Sequence, residues 1–269
     1  MAELLVSARR YQDIATLWAR AALAYPVSFG LLVVGGTLIT GLDFVGIVIM
    51  FASVDQLGGF GLREIALLYG ATALGIGLAD LLVGSVERIG FYVRTGRLDV
   101  MLTKPVPLLV QVCANEFSLR RVSRILQGGA VFAWAAWVAV DWTPARVVVA
   151  AAMVVSGSVI FFSLFVGFAC IQFWTSDASE LANAFTYGGN TLTQYPLTVF
   201  PAELVKSLTF VLPVAFVNWY PCLFLLGRED PYGLPAWLQL CSPVAAAALL
   251  VVALAVWRAG VRHYSSTGS

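Results

Sequence analysis

The sequence predicts an all-α integral membrane protein with six transmembrane helices. Hydrophobic residues make up 60% of the 269 residues and charged residues only 12%, whereas roughly a quarter of a soluble domain is charged. Several apolar runs reach the roughly 20 residues that a helix needs to cross the hydrocarbon of a bilayer. The basic residues also gather on one side of the predicted topology, as the positive-inside rule requires.

The first predicted element is a cytosolic amphipathic helix on the membrane surface, in residues 1–22. In ELLVSARRYQDIATLWAR, Tyr11, Ile14 and Trp18 fall near one helical face. The segment has neither a compact apolar core nor a small-residue cleavage site. We therefore expect no cleaved signal peptide.

The first two membrane spans are predicted within residues 23–86. The first is the apolar run 25–51, which Asp43 interrupts, and the second is the run 65–86, which contains Asp80. Between them, VDQLGGFGLRE is a glycine-rich loop of the kind that ends one helix and begins the next.

Spans three to five are predicted within residues 125–200. The third occupies 125–140, extended by a helix that begins near Leu109, and the fourth occupies 147–174 after the turn DWTPAR. The fifth, 181–200, is polar and glycine-rich. Its Asn and Thr side chains are expected to face other helices.

Residues 201–233 are predicted to form an extracytoplasmic re-entrant hairpin and its following loop. The run LVKSLTFVLPVAFVNWYPCLFLL is broken at Pro213 and Pro221 into pieces too short to cross the membrane separately. The polar loop GREDPYG then leads to the sixth span, 234–257, and residues 258–269 form a cytosolic tail.

The basic residues predict the orientation of these spans. With both termini in the cytosol, twelve of the sixteen lysines and arginines lie inside and four outside, which is a positive-inside bias. The four outside are Arg63, Arg146, Lys206 and Arg228. The net charge of +1 gives no indication of a nucleic-acid partner, and none is expected.

Motifs of catalysis and of metal binding are missing from the sequence. It contains no G-x-x-x-x-G-K-[ST] loop, no H-E-x-x-H pair and no G-x-S-x-G elbow. The single histidine, His263, lies in the predicted tail, where a lone histidine is more often solvated than catalytic. We expect no enzymatic activity, no catalytic residue, and no metal or cofactor in this chain.

The four cysteines are far apart and show no C-x-x-C spacing, so neither a zinc site nor a redox pair is indicated. They are expected to behave as small buried hydrophobic residues. A disulfide between Cys222 and Cys241 on the outer side stays open, because the sequence does not fix their separation.

The most charged segment, 87–124, is the first candidate for function. Within it, ERIGFYVRTGRLDVMLTKPVPLLVQV mixes basic and apolar residues before a Pro105 and Pro107 break, as expected of a short cytosolic helix-turn unit that docks a partner. A basic interfacial loop that only fixes topology would have the same composition. Both interpretations stand on the residues alone.

Few ionisable residues are predicted to lie at membrane depth. An acid there costs about 2.5 to 3.5 kcal/mol on insertion scales, so Asp43 and Asp80 need a reason for their position. Either one faces a translocation path that favours cationic amphiphiles, or each lies close enough to an interface to reach water. Polar residues of the fifth span either line a cavity or hydrogen-bond to neighbouring helices. They are Asn183, Asn190, Thr191 and Gln194.

The stretch GRLDVMLTKPVP resembles the cytosolic loop between spans two and three of ABC-2 type transporter permeases, especially a six-span branch of them. Further resemblance lies in QFWTSDASELANAF, in TQYPLTVFP and VLPVAFVNWYP, and in the ending HYSSTGS, which is similar to the family's Tyr-x-x-x-Gly-Ser ending. Ser265 and Ser266 depart from it, since the family often has a bulkier or more polar residue there. Together these motifs cover most of the chain, in order.

The resemblance implies the fold and the function of the chain. It implies six spans, cytosolic termini, an amphipathic N-terminal helix and a re-entrant outer hairpin, in a bacterial cytoplasmic (inner) membrane. It also implies the membrane-spanning permease of an ABC exporter, in which ATP and Mg are bound by separate nucleotide-binding ATPase subunits. Two permease subunits, identical or homologous, would pair within the membrane lipid.

In such an assembly the loop 87–107 would carry a coupling helix that docks into the ATPase. The candidate coupling residues are Glu87, Arg88, Arg94, Gly96, Arg97, Leu98, Asp99, Lys104 and Pro105. Gly96 would allow a tight turn where a Cβ would obstruct, and Pro105 and Pro107 would end the coupling element.

Two other classes of function stay open. A secondary transporter would also be all-helical without a phosphate-binding loop, although the sequence shows no inverted repeat with broken helices. A membrane scaffold or assembly factor would use the same loop as a docking surface without transport. The only indications of a substrate, Asp43 and Asp80, favour an amphipathic or cationic small molecule or a lipid.

Overall fold

The computed structural model describes residues 2–115, 121–175 and 179–264, and their side chains except those of 2–8, 179, 181–183 and 185–186. This part of the chain is helical and contains no β-strand beyond one isolated bridge between Leu57 and Phe60. The prediction of an all-α protein is confirmed.

Twelve α-helices are numbered in chain order through the described residues. They are α1 Ala2–Leu23, α2 Pro26–Met50, α3 Leu62–Val83, α4 Ile89–Arg94, α5 Arg97–Leu102, α6 Leu108–Ala114, α7 Val122–Ala139, α8 Pro144–Ala169, α9 Ser179–Thr193, α10 Ala202–Phe210, α11 Trp219–Leu226 and α12 Ser242–His263.

Four helices of the described chain are long and apolar enough to cross a membrane. They are α2, α3 with its continuation to Arg94, α8 with its continuation to Phe173, and α12. The pair α10 and α11, bent by 78° at the break between them, makes a fifth candidate if it is counted as one span. The protein is therefore a membrane protein with four or five candidate spans.

The helices at the predicted third and fifth spans do not meet this test of length and composition. α7 has 18 residues and includes Arg124 and Gln127, while α9 has 15 residues and is about 22 Å long, shorter than a bilayer core. A helix does begin near Leu109, as predicted, since α6 starts at Leu108. It does not continue into α7, because it ends at Ala114 and Asn115 has an extended conformation. The predicted continuation of α9 to residue 200 is wrong too, because the helix ends at Thr193.

The predicted break at Pro213 is confirmed, but the one at Pro221 is not. α10 ends at Phe210, and Pro213 precedes a short 3-10 turn, Val214–Phe216. Pro221 is instead the third residue of α11, where a backbone N–H has no partner within the helix, so proline is tolerated. The predicted sixth span is displaced, since α12 runs from Ser242 to His263.

Small residues allow α3, the most buried candidate span, to pack closely against α7. A Cβ on Gly70 would lie 2.5 Å from the backbone nitrogen of Phe132, and one on Gly128 would lie 2.8 Å from that of Leu74. Such close approach is typical of helix pairs in membranes. α8 covers another side of α3, and α12 packs on α8.

Asn218 fixes the bend between α10 and α11 to the centre of the bundle. Its side-chain amide donates to the carbonyls of Leu68 and Thr193 and to the hydroxyl of Thr72, and it is 1% exposed. Polar side chains that bridge helices in this way are worth about 0.6 to 2 kcal/mol in a membrane.

Candidate functional site

The candidate site is built on the chain that follows α3, residues 84–114, named here the helical loop. Gly84–Arg88 forms a 3-10 turn that leads into α4, and Gly96 separates α4 from α5. Gly96 has a φ of 65°, a left-handed conformation that costs a residue with a Cβ roughly 1 to 2 kcal/mol. The tight turn predicted at Gly96 is confirmed.

The helical loop has an apolar interior of its own. Ile89, Tyr92 and Leu98 are all 0% exposed. Leu98, predicted as a coupling residue, therefore anchors α5 in this interior and does not contribute a side chain to the surface.

Gln172, in the 3-10 turn that ends α8, holds the start of α4. Its Oε1 accepts a hydrogen bond of 2.9 Å from the backbone N–H of Gly90, and its Nε2 donates one of 3.2 Å to the carbonyl of Glu87. Gln172 is 2% exposed, so both bonds are shielded from water. The end of α8 is thereby connected to the beginning of the helical loop.

Gln111 holds the proline-containing bend of the helical loop against α6, and Asn115 holds α4. Gln111 donates from Nε2 to the carbonyls of Met101, at 2.9 Å, and Val106, at 2.7 Å. The Nδ2 of Asn115 donates to the hydroxyl of Tyr92 at 2.8 Å. As predicted, α5 ends before Pro105 and the next helix begins after Pro107.

The end of α12 is hydrogen-bonded to α5. The hydroxyl of Tyr264 donates to Oδ1 of Asp99 at 3.0 Å, and the Tyr264 ring lies 6.4 Å from that of Phe173. Burial, the hydrogen bond and the charge of Asp99 raise the pKa of Tyr264 above its usual value, so the phenol stays protonated and able to donate. From the sequence, Asp99 was predicted to lie on the docking surface. The hydrogen bond to Tyr264 could not be predicted, because the two residues are 165 positions apart in the chain.

The outward side of the helical loop carries arginines around an exposed aromatic ring. The guanidinium carbons of Arg88 and Arg97 lie 5.8 and 5.2 Å from the centroid of the Phe91 ring, within the range of cation-π attraction. Phe91 is 38% exposed, and Arg94 is exposed beside it in sequence. We name Arg88, Phe91, Arg94 and Arg97 the basic-aromatic face.

The predicted coupling residues fall into an exposed group and a covered group. Arg88, Arg94, Arg97, Lys104 and Pro105 are exposed. Glu87, Gly96 and Asp99 are half-buried, and Leu98 is buried. The side chains of the first group are the most accessible of the set.

Asp80 forms an ion pair that neither sequence-based interpretation anticipated. It is 9% exposed, and its Oδ1 lies 3.0 Å from Nε of Arg121, which precedes α7. Ionisable groups within membrane bundles commonly pair with one another. The carboxylate is thus compensated by an arginine and does not depend on contact with water.

Glu87 and Arg124 extend this pair into a cluster of four charges. The carboxylate of Glu87 interacts electrostatically with Asp80, Arg121 and Arg124. The guanidinium carbon of Arg124 lies 5.9 Å from the centroid of the Tyr187 ring on α9. Glu87 therefore faces the bundle interior.

Of the described residues predicted to line a translocation path, only Asp80 belongs to this cluster. Asp43 is exposed on α2, and Asn190 and Gln194 are half-buried at the end of α9 and just beyond it. Oδ1 of Asn190 is buried and has no hydrogen-bond partner among the described residues. The side chain of Asn183 lies outside the described part of the chain.

The cysteines are all free thiols, so the disulfide that the sequence left open does not form. Cys222 is buried, with its Sγ 3.7 Å from Sδ of Met153, whereas the thiol of Cys241 lies 3.5 Å from the carbonyl of Trp237. Within the described ranges, no three His, Cys, Asp or Glu residues are grouped so as to hold a metal ion.

At the opposite end of α3, Arg228 joins three elements. It lies 2.9 Å from Glu64, donates to the carbonyl of Gly59 at 2.8 Å, and stacks its guanidinium 4.4 Å from the Phe60 ring centroid. Glu64 also caps α3 by accepting from the backbone N–H of Gly61. The loop before α3 is in this way fixed to the end of α11.

Comparison with known proteins gives one family. Residues 37–268 match the family model described as "ABC-2 family transporter protein". The match begins within α2 and includes the whole helical loop. No curated protein and no solved structure matches the chain.

Proposed function

The chain belongs to the ABC-2 family of transporter proteins, and from that membership we propose that it is the membrane-spanning permease of an ATP-binding cassette exporter. ATP and Mg are bound and ATP is hydrolysed on a separate nucleotide-binding subunit. Two permeases, identical or homologous, pair in the membrane. The helical loop receives the movement of the ATPase and passes it to the spans.

The basic-aromatic face is the observation that carries this proposal. Arg97 is exposed, its guanidinium is held over Phe91 at 5.2 Å, and an arginine ordered in this way loses little freedom when it binds a carboxylate. Apolar Val100 and Leu102 are 59% and 45% exposed nearby in sequence. The complementary surface on the ATPase subunit is a cleft with acidic groups around an apolar floor.

The hydrogen bonds around the helical loop transmit movement of the ATPase to the membrane spans. The amide of Gln172 connects it to α8, and the Tyr264 hydroxyl connects Asp99 to α12. The 3-10 turn Gly84–Arg88 joins it directly to α3. A push on the basic-aromatic face therefore reaches three candidate spans at once, as rigid-body rocking requires.

The topology that accompanies this function has six spans and both termini in the cytosol of a bacterial inner membrane. The spans are α2, α3, α7, α8, α9 and α12, and α10 with α11 forms the outer re-entrant hairpin. α7 and α9 are counted because they pack against α3 and α8, although by length and composition they are not candidate spans. The 78° bend of that pair and its buried anchor at Asn218 support a hairpin enclosed in protein, where irregular backbone is tolerated.

α1 completes this topology as an amphipathic helix in the cytosolic interface. Leu17 and Trp18 are 67% and 40% exposed, which suits a helix immersed in headgroups. The hydroxyl of Tyr11 donates to the carbonyl of Leu82 at 3.0 Å, so the helix is held against the end of α3.

The exported substrate is an amphipathic small molecule or a lipid. Asp80 and Asp43 were the two residues that favoured a cationic substrate. Asp80 no longer supports this preference, because Arg121 neutralises it at 3.0 Å. Only Asp43 continues to support it.

The experiment that tests the function is co-expression of the chain with its neighbouring ATPase subunit, followed by co-purification and measurement of ATP turnover. Arg97→Glu is expected to weaken assembly by at least about tenfold, because it places like charges across the contact. Arg258→Gln, an exposed arginine outside the helical loop, is the control and should assemble normally.

The outcome also separates the alternative classes of function. Assembly that survives Arg97→Glu unchanged would remove the basic-aromatic face from the coupling mechanism. If no ATPase associates with the wild-type chain, the permease assignment fails and a membrane scaffold becomes the better explanation.

A further inference from the structure

A lateral pocket of about 400 Å³ lies between α2 and the helices α3 and α7. Its two walls differ in chemistry. α2 contributes the apolar side chains Leu31, Leu32 and Ile39, whereas the opposite wall includes Asp80, Arg121 and Arg124. The pocket is thus suited to a molecule that is apolar along one side and charged along the other.

The charges on the polar wall favour an anion. Asp80 is already paired with Arg121 at 3.0 Å, and Arg124 adds a second arginine to the lining of the pocket. The lining therefore carries one more positive charge than negative charges. Glu87 interacts with both arginines electrostatically, but it does not line the pocket.

A lipid can reach the pocket from the bilayer. Only 6% of the apolar window of α2 is buried, so this helix is open to acyl chains along most of its length. Arg124 lies in the first turn of α7, and Asp80 lies near the end of α3. Both are at the end of the bundle that carries the helical loop, where the headgroups of one leaflet would lie.

We infer that this pocket binds an anionic phospholipid, with an acyl chain along α2 and the phosphate at Arg124. Guanidinium groups bind phosphate through paired, charge-assisted hydrogen bonds, and Arg124 lines the polar wall of the pocket. A zwitterionic lipid is a poorer occupant, because its cationic headgroup would come close to Arg121 and Arg124. This inference goes beyond the proposed export function and does not depend on an ATPase.

Native mass spectrometry of the purified full-length chain tests the inference, with dioleoyl phosphatidylglycerol and dioleoyl phosphatidylcholine as the two probes. We expect the wild-type chain to retain phosphatidylglycerol in preference to phosphatidylcholine. Arg124→Gln should weaken phosphatidylglycerol binding about tenfold, since it removes a charge-assisted contact. The matched control Arg258→Gln, an exposed arginine away from the pocket, should bind as the wild type does.

A second variant blocks the pocket without changing its charge. Gly35 lines the pocket, and a Cβ added to it would have no atom within 4 Å, so Gly35→Leu fills the space and leaves α2 in place. It should lower the binding of both lipids. A loss on Gly35→Leu together with a loss of selectivity on Arg124→Gln supports the inference.

Three results would overturn it. They are equal retention of the two lipids by the wild-type chain, unchanged selectivity in Arg124→Gln, and thermal stabilisation by inorganic phosphate equal to that by phosphatidylglycerol. The last would mean that the apolar wall contributes nothing to binding. Because no ATPase is present in these measurements, their failure leaves the permease assignment untouched.

Discussion

Removal of the Tyr264 hydroxyl tests whether the end of α12 holds α5 in place. Tyr264→Phe keeps the ring that lies 6.4 Å from Phe173 and deletes only the donor to Asp99. A hydrogen bond to a charged group is worth about 1.5 to 3 kcal/mol. Since both residues are only half-buried, water can replace part of the bond, and we expect a loss of about 1.4 kcal/mol, a factor of ten in the local opening equilibrium.

Hydrogen exchange of the α5 amides, Arg97–Leu102, measures this opening directly. The amides should exchange about tenfold faster in Tyr264→Phe in detergent or nanodiscs, while those of α8 stay unchanged. In a double-mutant cycle with Asp99→Asn, the two effects should fall short of additivity by about 1 kcal/mol. Additive effects, or unchanged exchange of α5, would refute the view that the pair connects α12 to the helical loop.

Three further predictions concern other parts of the fold. Gly96→Ala should cost about 1 to 2 kcal/mol because of the φ of 65°, seen as a lower unfolding temperature, whereas Gly30→Ala, with open space around it, should cost nothing. Asn218→Leu should lower the unfolding temperature by more than Thr72→Val, because it removes three buried hydrogen bonds, whereas Thr72→Val removes two. Equal effects would contradict this role. The stability that Tyr264 contributes should be constant below about pH 10 and should fall at higher pH, because the pKa of its phenol is higher in the folded than in the unfolded state. The difference in unfolding temperature between the wild type and Tyr264→Phe, measured as a function of pH, tests this.

The parts of the fold that sequence predicts best are those set by local hydropathy. The apolar run 25–51 becomes α2, Pro26–Met50, with a mean hydropathy of 2.1. The turn at Gly96 also follows from one residue, because glycine tolerates a positive φ. The position of Pro221 was misread because a proline in the first turn of a helix looks the same in sequence as one that breaks it.

The parts that sequence could not predict are contacts between distant elements. Asp80 looked like an uncompensated acid because Arg121 lies on the other side of the helical loop in the chain. Glu87 looked like a docking residue because it begins the most charged segment of the chain, although its carboxylate faces charges of the bundle. No local pattern distinguishes an exposed charge from one that is paired inside.

The close packing of α3 and α7 has a consequence for how the protein enters the membrane. α7 is not among the helices that are apolar enough to cross a membrane, yet Arg121 just before it pairs with Asp80 on α3. Such a helix is a poor substrate for the translocon alone, whereas α3, with a mean hydropathy of 1.8, is synthesised first. We expect α3 to wait at the translocon and carry α7 into the bilayer as a hairpin, so that Asp80→Leu, which strengthens α3 by itself, would impair the insertion of α7 in a glycosylation-mapping assay.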